Sequence, residues 1–137
     1  MKKNEIIRIV VIAVVAIIAL LLLKGGFDKI KDFVNDKRIA RELDNKIDKK
    51  NLSYTDDQYE SYCKKLVSAM DGIGTDDDAV YDVFRAMKTR SDVLNLIKVF
   101  GSRDGETLQE WLYGDLSSGE IQEVNKILKG LNIEYSF

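Results

Sequence analysis

The side chains that usually carry protein chemistry are scarce in this chain. Histidine is absent, which removes the commonest general base, the usual zinc ligand and the side chain that titrates near neutral pH. The single cysteine, Cys63, has no evident base and cannot form an internal disulfide. The acidic run Asp76–Asp78 is better explained as the start of a helix than as a catalytic group. We therefore do not expect an enzyme.

Charge is unevenly distributed along the sequence. Residues 24–54 carry nine Lys/Arg and six Asp/Glu, a net charge of +3, whereas residues 55–137 carry nine Lys/Arg and sixteen Asp/Glu, a net charge of −7. Phosphate binding needs clustered positive charge, so the acidic part is not expected to bind nucleic acid. The basic stretch could contact acidic lipid headgroups or be a solvated charged helix, and the sequence leaves both open.

The N-terminus contains a long apolar segment. Ile9 to Leu23 has no polar residue, and Ile6–Ile7 extend the segment past Arg8 to 18 positions. About 20 apolar residues span a bilayer core, and no small-residue cleavage site follows. We therefore predict an uncleaved transmembrane anchor over residues 1–24 rather than a signal peptide. This makes the chain an integral, single-pass membrane protein whose orientation is left open because basic residues flank both sides.

Residues 25–53 are predicted to form an amphipathic helical linker. Its apolar positions recur mostly every three or four residues, the period of one helix face. These positions are Phe27, Ile30, Phe33, Val34, Ile39, Leu43 and Ile47. Such a helix could lie on the membrane, pair with a second copy or pack on the following domain.

Residues 54–137 are predicted to form a domain of five helices. A Ser, Thr or Asp at the N-cap accepts hydrogen bonds from exposed N–H groups, and an acidic or amide residue three positions on can reach back. The pairs that match are Thr55 with Gln58, Thr75 with Asp78, Thr89 with Asp92 and Ser117 with Glu120, together with Asp104 before the fourth helix. No useful stretch alternates with a period of two, so no sheet is expected and the fold class is all-α.

The apolar faces of these five helices predict the core. Each face follows the three-to-four spacing of a helix, and Trp111 is read as core rather than as a ligand platform. The predicted core residues are Tyr59, Tyr62, Leu66, Met70, Val80, Val83, Phe84, Met87, Leu94, Ile97, Phe100, Leu108, Trp111, Leu112, Ile121, Val124, Ile127, Leu128 and Leu131.

Four short motifs in this domain resemble an annexin repeat. Ala69–Asp76, which reads AMDGIGTD, resembles the family's loop between the first two helices. The other three are Thr89-Arg90-Ser91, Arg103-Asp104 with Leu108 and Leu112, and Asp115-Leu116-Ser117-Ser118-Gly119. The resemblance covers residues of about 55–131, one whole repeat, and implies a five-helix annexin-like domain.

The resemblance also implies a ligand set. In the family, backbone carbonyls of this loop and a later carboxylate bind calcium, which bridges the protein to acidic phospholipid. Carried over by position, the ligands are the carbonyls of Met70, Gly72 and Gly74 and the carboxylate of Asp115. These are ligands that calcium accepts, since it prefers oxygen, and glycine lets a backbone turn its carbonyls toward one point.

Other interpretations stay open. Asp71 replaces the family's basic residue, Asp115 replaces its Glu, and the chain has one repeat where annexins carry four or eight. Gly72 and Gly74 could serve only a tight turn, and Asp115 could be a surface acid near a helix start. The chain is thus either a membrane-anchored module that attaches to acidic phospholipid through calcium, or a calcium-independent interaction protein that binds a protein or cell-envelope partner. Self-association fits both.

Overall fold

The computed structural model describes residues 2–23 and 27–137, and of these it describes all side chains except those of 18–23, 27–31 and 33. The described chain is mostly helical. Its elements are α1 (Lys3–Leu23), α2 (Phe27–Asp44), a 3₁₀ turn (Lys49–Asn51), α3 (Asp56–Met70), α4 (Asp77–Arg85), α5 (Arg90–Phe100), β1 (Ser102–Arg103), β2 (Glu106–Thr107), α6 (Leu108–Asp115) and α7 (Ser118–Gly130).

The predicted membrane anchor is corrected by the structure. Among the described residues, no helix is both long enough and apolar enough to cross a membrane. The predictions of a transmembrane segment over residues 1–24, of an integral membrane partner and of a single-pass localisation are therefore wrong on this finding. The described side chains of α1 end at Ile17 and cover about 22 Å of helix, less than the roughly 30 Å hydrocarbon core of a bilayer. The remainder of the predicted anchor lies outside the described side chains.

Three of the predicted helix starts are confirmed, and each is a complete capping box. Thr55 with Gln58 begins α3, Thr89 with Asp92 begins α5, and Ser117 with Glu120 begins α7. Two starts were assigned to the wrong residue. Asp76, not Thr75, caps α4, and Thr107, not Asp104, caps α6 with a box to Glu110. Asp76 and Thr107 each stand directly before the first residue of their helix, which is the N-cap position.

The expectation of no sheet is also wrong in one place. β1 and β2 form a two-stranded antiparallel ribbon that pairs Ser102 with Thr107 and Arg103 with Glu106. The turn between them is Asp104-Gly105, with φ of 51° and 80°, which is a two-residue turn with positive φ at both positions. The ribbon is too short to show alternation, so Asp104 was read as a helix cap when it belongs to the turn.

Helices α3 to α7 enclose one core. All the predicted core residues are buried or half-buried except Leu131, which is 39% exposed. Trp111 is among them, and its indole N–H donates to the Arg103 carbonyl at 2.9 Å. Helix α5 lies deepest, since every residue from 91 to 96 is buried and the helix contacts both α2 and α3.

Helix α2 packs on the following domain, one of the three arrangements left open for the linker. It contacts α5 and β1, and Ile39 is buried. Asp32 accepts from the Ser102 hydroxyl and from the Gly105 N–H, both at 2.7 Å. Asp36 accepts from the Ser102 N–H at 2.6 Å and occupies the space that a side chain on Gly101 would need.

The predicted linker helix is shorter than expected. Helix α2 ends at Asp44 and is followed by a turn and by the 3₁₀ turn Lys49–Asn51, which Asp48 caps. Ile47 is buried there, whereas Val34 is 58% exposed and does not contribute to an apolar face. The side chains of Phe27, Ile30 and Phe33 lie outside the described part of the chain.

Candidate functional site

The loop between α3 and α4 has a conformation that only glycine adopts readily. Gly72 and Gly74 have φ of 108° and 83°, in the left-handed region. The loop is closed at both ends, because the Asp71 N–H donates to the Val67 carbonyl at 2.7 Å and the Asp76 N–H to the Ala69 carbonyl at 2.9 Å. The glycines therefore reverse the chain within a short, closed loop, and their carbonyls are oriented by backbone geometry rather than by side-chain packing.

The loop between α6 and α7 lies beside it. Asp115 is the last residue of α6 and is exposed, whereas the next residue, Leu116, is buried in the core. The Thr75 hydroxyl donates to the Asp115 backbone carbonyl at 3.2 Å, across 40 positions of sequence. The structure thus brings together the two segments that the sequence prediction paired.

All four predicted ligand groups lack a hydrogen-bond partner in the described part of the chain. Within the described residues, no hydrogen bond reaches the carbonyls of Met70, Gly72 or Gly74, or the carboxylate of Asp115. Met70 is the last residue of α3, so its carbonyl is one of those that a helix end leaves without an intrahelical partner. Four oxygen acceptors on two adjoining loops are therefore available to an external donor or cation.

The loop forms an open concavity of about 370 Å³. Its lining is mostly polar and includes Asp71, Thr75 and Asp76. Ile73 stands out because it is apolar and fully exposed, at 110% of the reference area. No role is predicted for Ile73 from the sequence, although an isoleucine between two loop glycines is a signal for one.

The two helices that follow these loops bring further negative charge. Asp77 lies in the first turn of α4, and Glu120 lies in the first turn of α7. Burial raises the pKa of Asp77, and the negative charge of the nearby Glu120 carboxyl raises it further. Closely spaced carboxylates create a negative potential that attracts cations.

The ligand chemistry fits a hard cation held mainly by backbone. In the described part of the chain, no group of three or more His, Cys, Asp or Glu side chains could hold a metal ion. A cation at these loops would therefore depend on the carbonyls of Met70, Gly72 and Gly74 with the single carboxylate of Asp115. An all-oxygen set of this kind suits calcium and excludes the soft thiolate and imidazole coordination of zinc.

A larger concavity, about 680 Å³, lies between α7 and the C-terminal segment. Its most specific polar group is already engaged, since the Asn125 amide donates to the Phe137 carbonyl at 3.0 Å and accepts from the Phe137 N–H at 2.7 Å.

Cys63 offers no alternative chemistry. Its thiol is buried, and burial raises its pKa to about 12, so it is protonated at neutral pH. The paired loops are the better candidate.

Asp92 has a central structural role that its sequence context does not indicate. The capping-box pattern identifies it only as the residue three positions after the N-cap, but its carboxylate is fully buried and accepts five hydrogen bonds. The donors are the Ser53 N–H and hydroxyl, the Tyr59 hydroxyl, and the N–H groups of Lys88 and Thr89, at 2.6–3.2 Å. No local signal distinguishes this carboxylate, because two of its partners lie more than 30 positions away.

Comparison of the chain with models of known protein families, with curated proteins and with solved structures finds no match in any of the three.

Proposed function

We propose that this chain is an annexin-like helical binding module that attaches to acidic phospholipid through one calcium ion at the loop pair formed by residues 70–76 and Asp115. The single observation that carries the proposal is a set of four oxygens that no described residue pairs, on two segments joined by the Thr75–Asp115 hydrogen bond. The motif resemblance supports the same assignment.

The proposed site is incomplete without lipid. Met70, Gly72 and Gly74 supply neutral carbonyl oxygens, and Asp115 supplies the one negative charge. Calcium takes six to eight oxygen ligands, so two to four positions remain for water or for lipid phosphate. The affinity of the protein alone is therefore expected to be weak, about 10⁻⁴–10⁻³ M. Calcium and acidic lipid should each tighten the other's binding by the same factor.

Ile73 extends this contact to the apolar part of the interface. Its side chain lies at the tip of the loop whose carbonyls are the proposed ligands, and it is fully exposed. Burying an isoleucine side chain contributes about 1.5–3 kcal/mol. A loop that bound lipid phosphate through calcium would place Ile73 against the bilayer surface, where that contribution would add to attachment.

Calorimetric titration of calcium into the full-length protein tests the proposal. Vesicles of phosphatidylserine and phosphatidylcholine should tighten calcium binding by at least about fivefold, whereas phosphatidylcholine vesicles should not. Asp115→Asn should abolish calcium binding with either kind of vesicle. Asp57→Asn is the matched control, since it removes the same charge from an exposed position in the first turn of α3.

Two outcomes would contradict the proposal. Wild-type protein that takes up no calcium at millimolar concentration with acidic vesicles present has no such site. Equal losses in Asp115→Asn and Asp57→Asn would mean that net charge, not ligation by Asp115, governs binding. In either case, the remaining function is that of a calcium-independent interaction domain.

A further inference from the structure

Thr75 makes the contact that joins the two loops. Its hydroxyl donates to the Asp115 carbonyl at 3.2 Å, and among the described residues no other hydrogen bond connects residues 71–76 with residues 114–117. The helices behind the loops also contact each other, since α3 packs on α6 and α4 on α7. Those contacts set the positions of the helices. They do not set the position of Asp115 relative to the loop of residues 71–76.

Thr75 is available for this contact because a neighbouring residue caps the helix. The Asp76 carboxylate accepts from the Ala79 N–H at 3.1 Å and is the N-cap of α4. A helix start takes one capping residue, so the Thr75 hydroxyl is not needed there. The Asp76 N–H donates to the Ala69 carbonyl and holds this end of the loop in place, which fixes the position of Thr75.

Asp115 needs such a contact because it lies at a weak helix end. The last carbonyls of a helix have no intrahelical partner, and the hydroxyl of Thr75 satisfies that of Asp115. Gly114 precedes it and is exposed, and glycine in a helix leaves the backbone less constrained than any other residue does. Helix α6 holds the Asp115 main chain from one side, with the Leu116 N–H donating to the Leu112 carbonyl at 2.9 Å, and the Thr75 hydrogen bond is the contact that ties it to the facing loop.

We infer that Thr75 is the positioning residue of the proposed calcium site: its hydroxyl ties the Asp115 main chain to the loop that carries the Met70, Gly72 and Gly74 carbonyls. This inference rests on the proposed function. Thr75 is not one of the four assigned ligands, and its role is the hydrogen bond that it donates to the Asp115 carbonyl.

The test compares Thr75→Val with Thr75→Ser in the full-length protein. Valine has nearly the shape of threonine but no hydroxyl, whereas serine keeps the hydroxyl. One lost hydrogen bond should weaken calcium binding about five- to tenfold in Thr75→Val, measured by calorimetry with acidic vesicles present. Thr75→Ser should bind within about twofold of wild type. Melting curves of both variants in EDTA should match that of wild type, because the hydrogen bond is exposed.

A second measurement separates this inference from the proposed function. In EDTA, amide resonances of residues 115–117 should shift in Thr75→Val and return toward wild-type values in Thr75→Ser. Wild-type protein without calcium binding would overturn both the function and the inference. Wild-type protein that binds calcium, with Thr75→Val binding equally well, would overturn the inference alone. Equal weakening in Thr75→Val and Thr75→Ser would overturn it too, since the hydroxyl would then not be the group that matters.

Discussion

Two aspartates at the ends of helices show how differently one side chain is used in this molecule. Asp92, in the first turn of α5, is fully buried and accepts five hydrogen bonds. Asp115, the last residue of α6, is exposed, and no hydrogen bond from the described residues reaches its carboxylate. The first carboxylate holds the fold together at α5, and the second is available to a ligand.

The difference lies in what each position faces. Asp92 lies where Ser53, Tyr59 and the start of α5 meet, and a charge can be buried there because polar donors surround it. Asp115 lies at a C-terminal helix end, where the unpaired carbonyls repel an anion. A carboxylate at such a place does not stabilise its helix. In the proposed function, a bound calcium ion would offset this repulsion.

The largest expected effect is on stability at Asp92. Asp92→Ala leaves up to five donors without their acceptor, and loss of one partner of a buried charged network costs about 3–5 kcal/mol of unfolding free energy. Urea denaturation followed by circular dichroism should show this loss. The matched control is Asp57→Ala, an exposed aspartate in the first turn of α3 that should leave the transition nearly unchanged. Similar midpoints for the two variants would contradict a structural role for Asp92.

A smaller effect concerns the pH dependence of that stability. Burial favours the neutral acid, but hydrogen bonds from Ser53, Tyr59 and Lys88 outweigh it and hold the pKa of Asp92 below its ordinary value. A carboxyl with a lowered pKa in the folded state contributes stability that is present above the unfolded pKa, near 3.9, and is lost as the pH falls through the folded pKa.

The unfolding free energy should therefore fall as the pH drops below about 5, and Asp92→Asn should reduce the slope. Urea titrations at several pH values measure this. Asp36 contributes to stability with the opposite sign. Burial and the neighbouring Asp32 raise its pKa, although the hydrogen bond from the Ser102 N–H lowers it. The contribution of Asp36 is therefore lost as the pH rises. A slope unchanged in Asp92→Asn would show that other carboxyls account for acid unfolding.

Much of the fold could be predicted from local pattern. The helix period identified almost all core residues, because one face of each helix packs inward, and capping boxes located three starts because the chemistry is confined to four consecutive residues. Prediction failed where neighbouring residues offered the same chemistry. Thr75 and Asp76 can both cap a helix, and only tertiary structure directs the Thr75 hydroxyl to Asp115.

The candidate site was partly predictable for a similar reason. The positive φ values of Gly72 and Gly74 agree with the role expected of glycines there, and the proximity of the loop to Asp115 agrees with the paired motifs. The sequence could not show which carboxylate has a structural role. Asp92 and Asp115 are both aspartates near helix ends, and only long-range contacts, such as that from Tyr59, make one of them structural.

The smallest expected effect is on stability at Asp115, and it completes the comparison. Asp115→Asn removes no hydrogen bond made by the described residues, so its melting curve in EDTA should match that of wild type. Calcium should separate the two proteins. A ligand that binds only the folded state stabilises it by RT ln(1 + [L]/Kd), about 1.4 kcal/mol at tenfold excess over Kd, which corresponds to several degrees. With calcium and acidic vesicles present, the melting temperature of wild type should rise by this amount, and that of Asp115→Asn should not. An Asp115→Asn variant that melts lower in EDTA would mean that this carboxylate, like that of Asp92, is part of the fold.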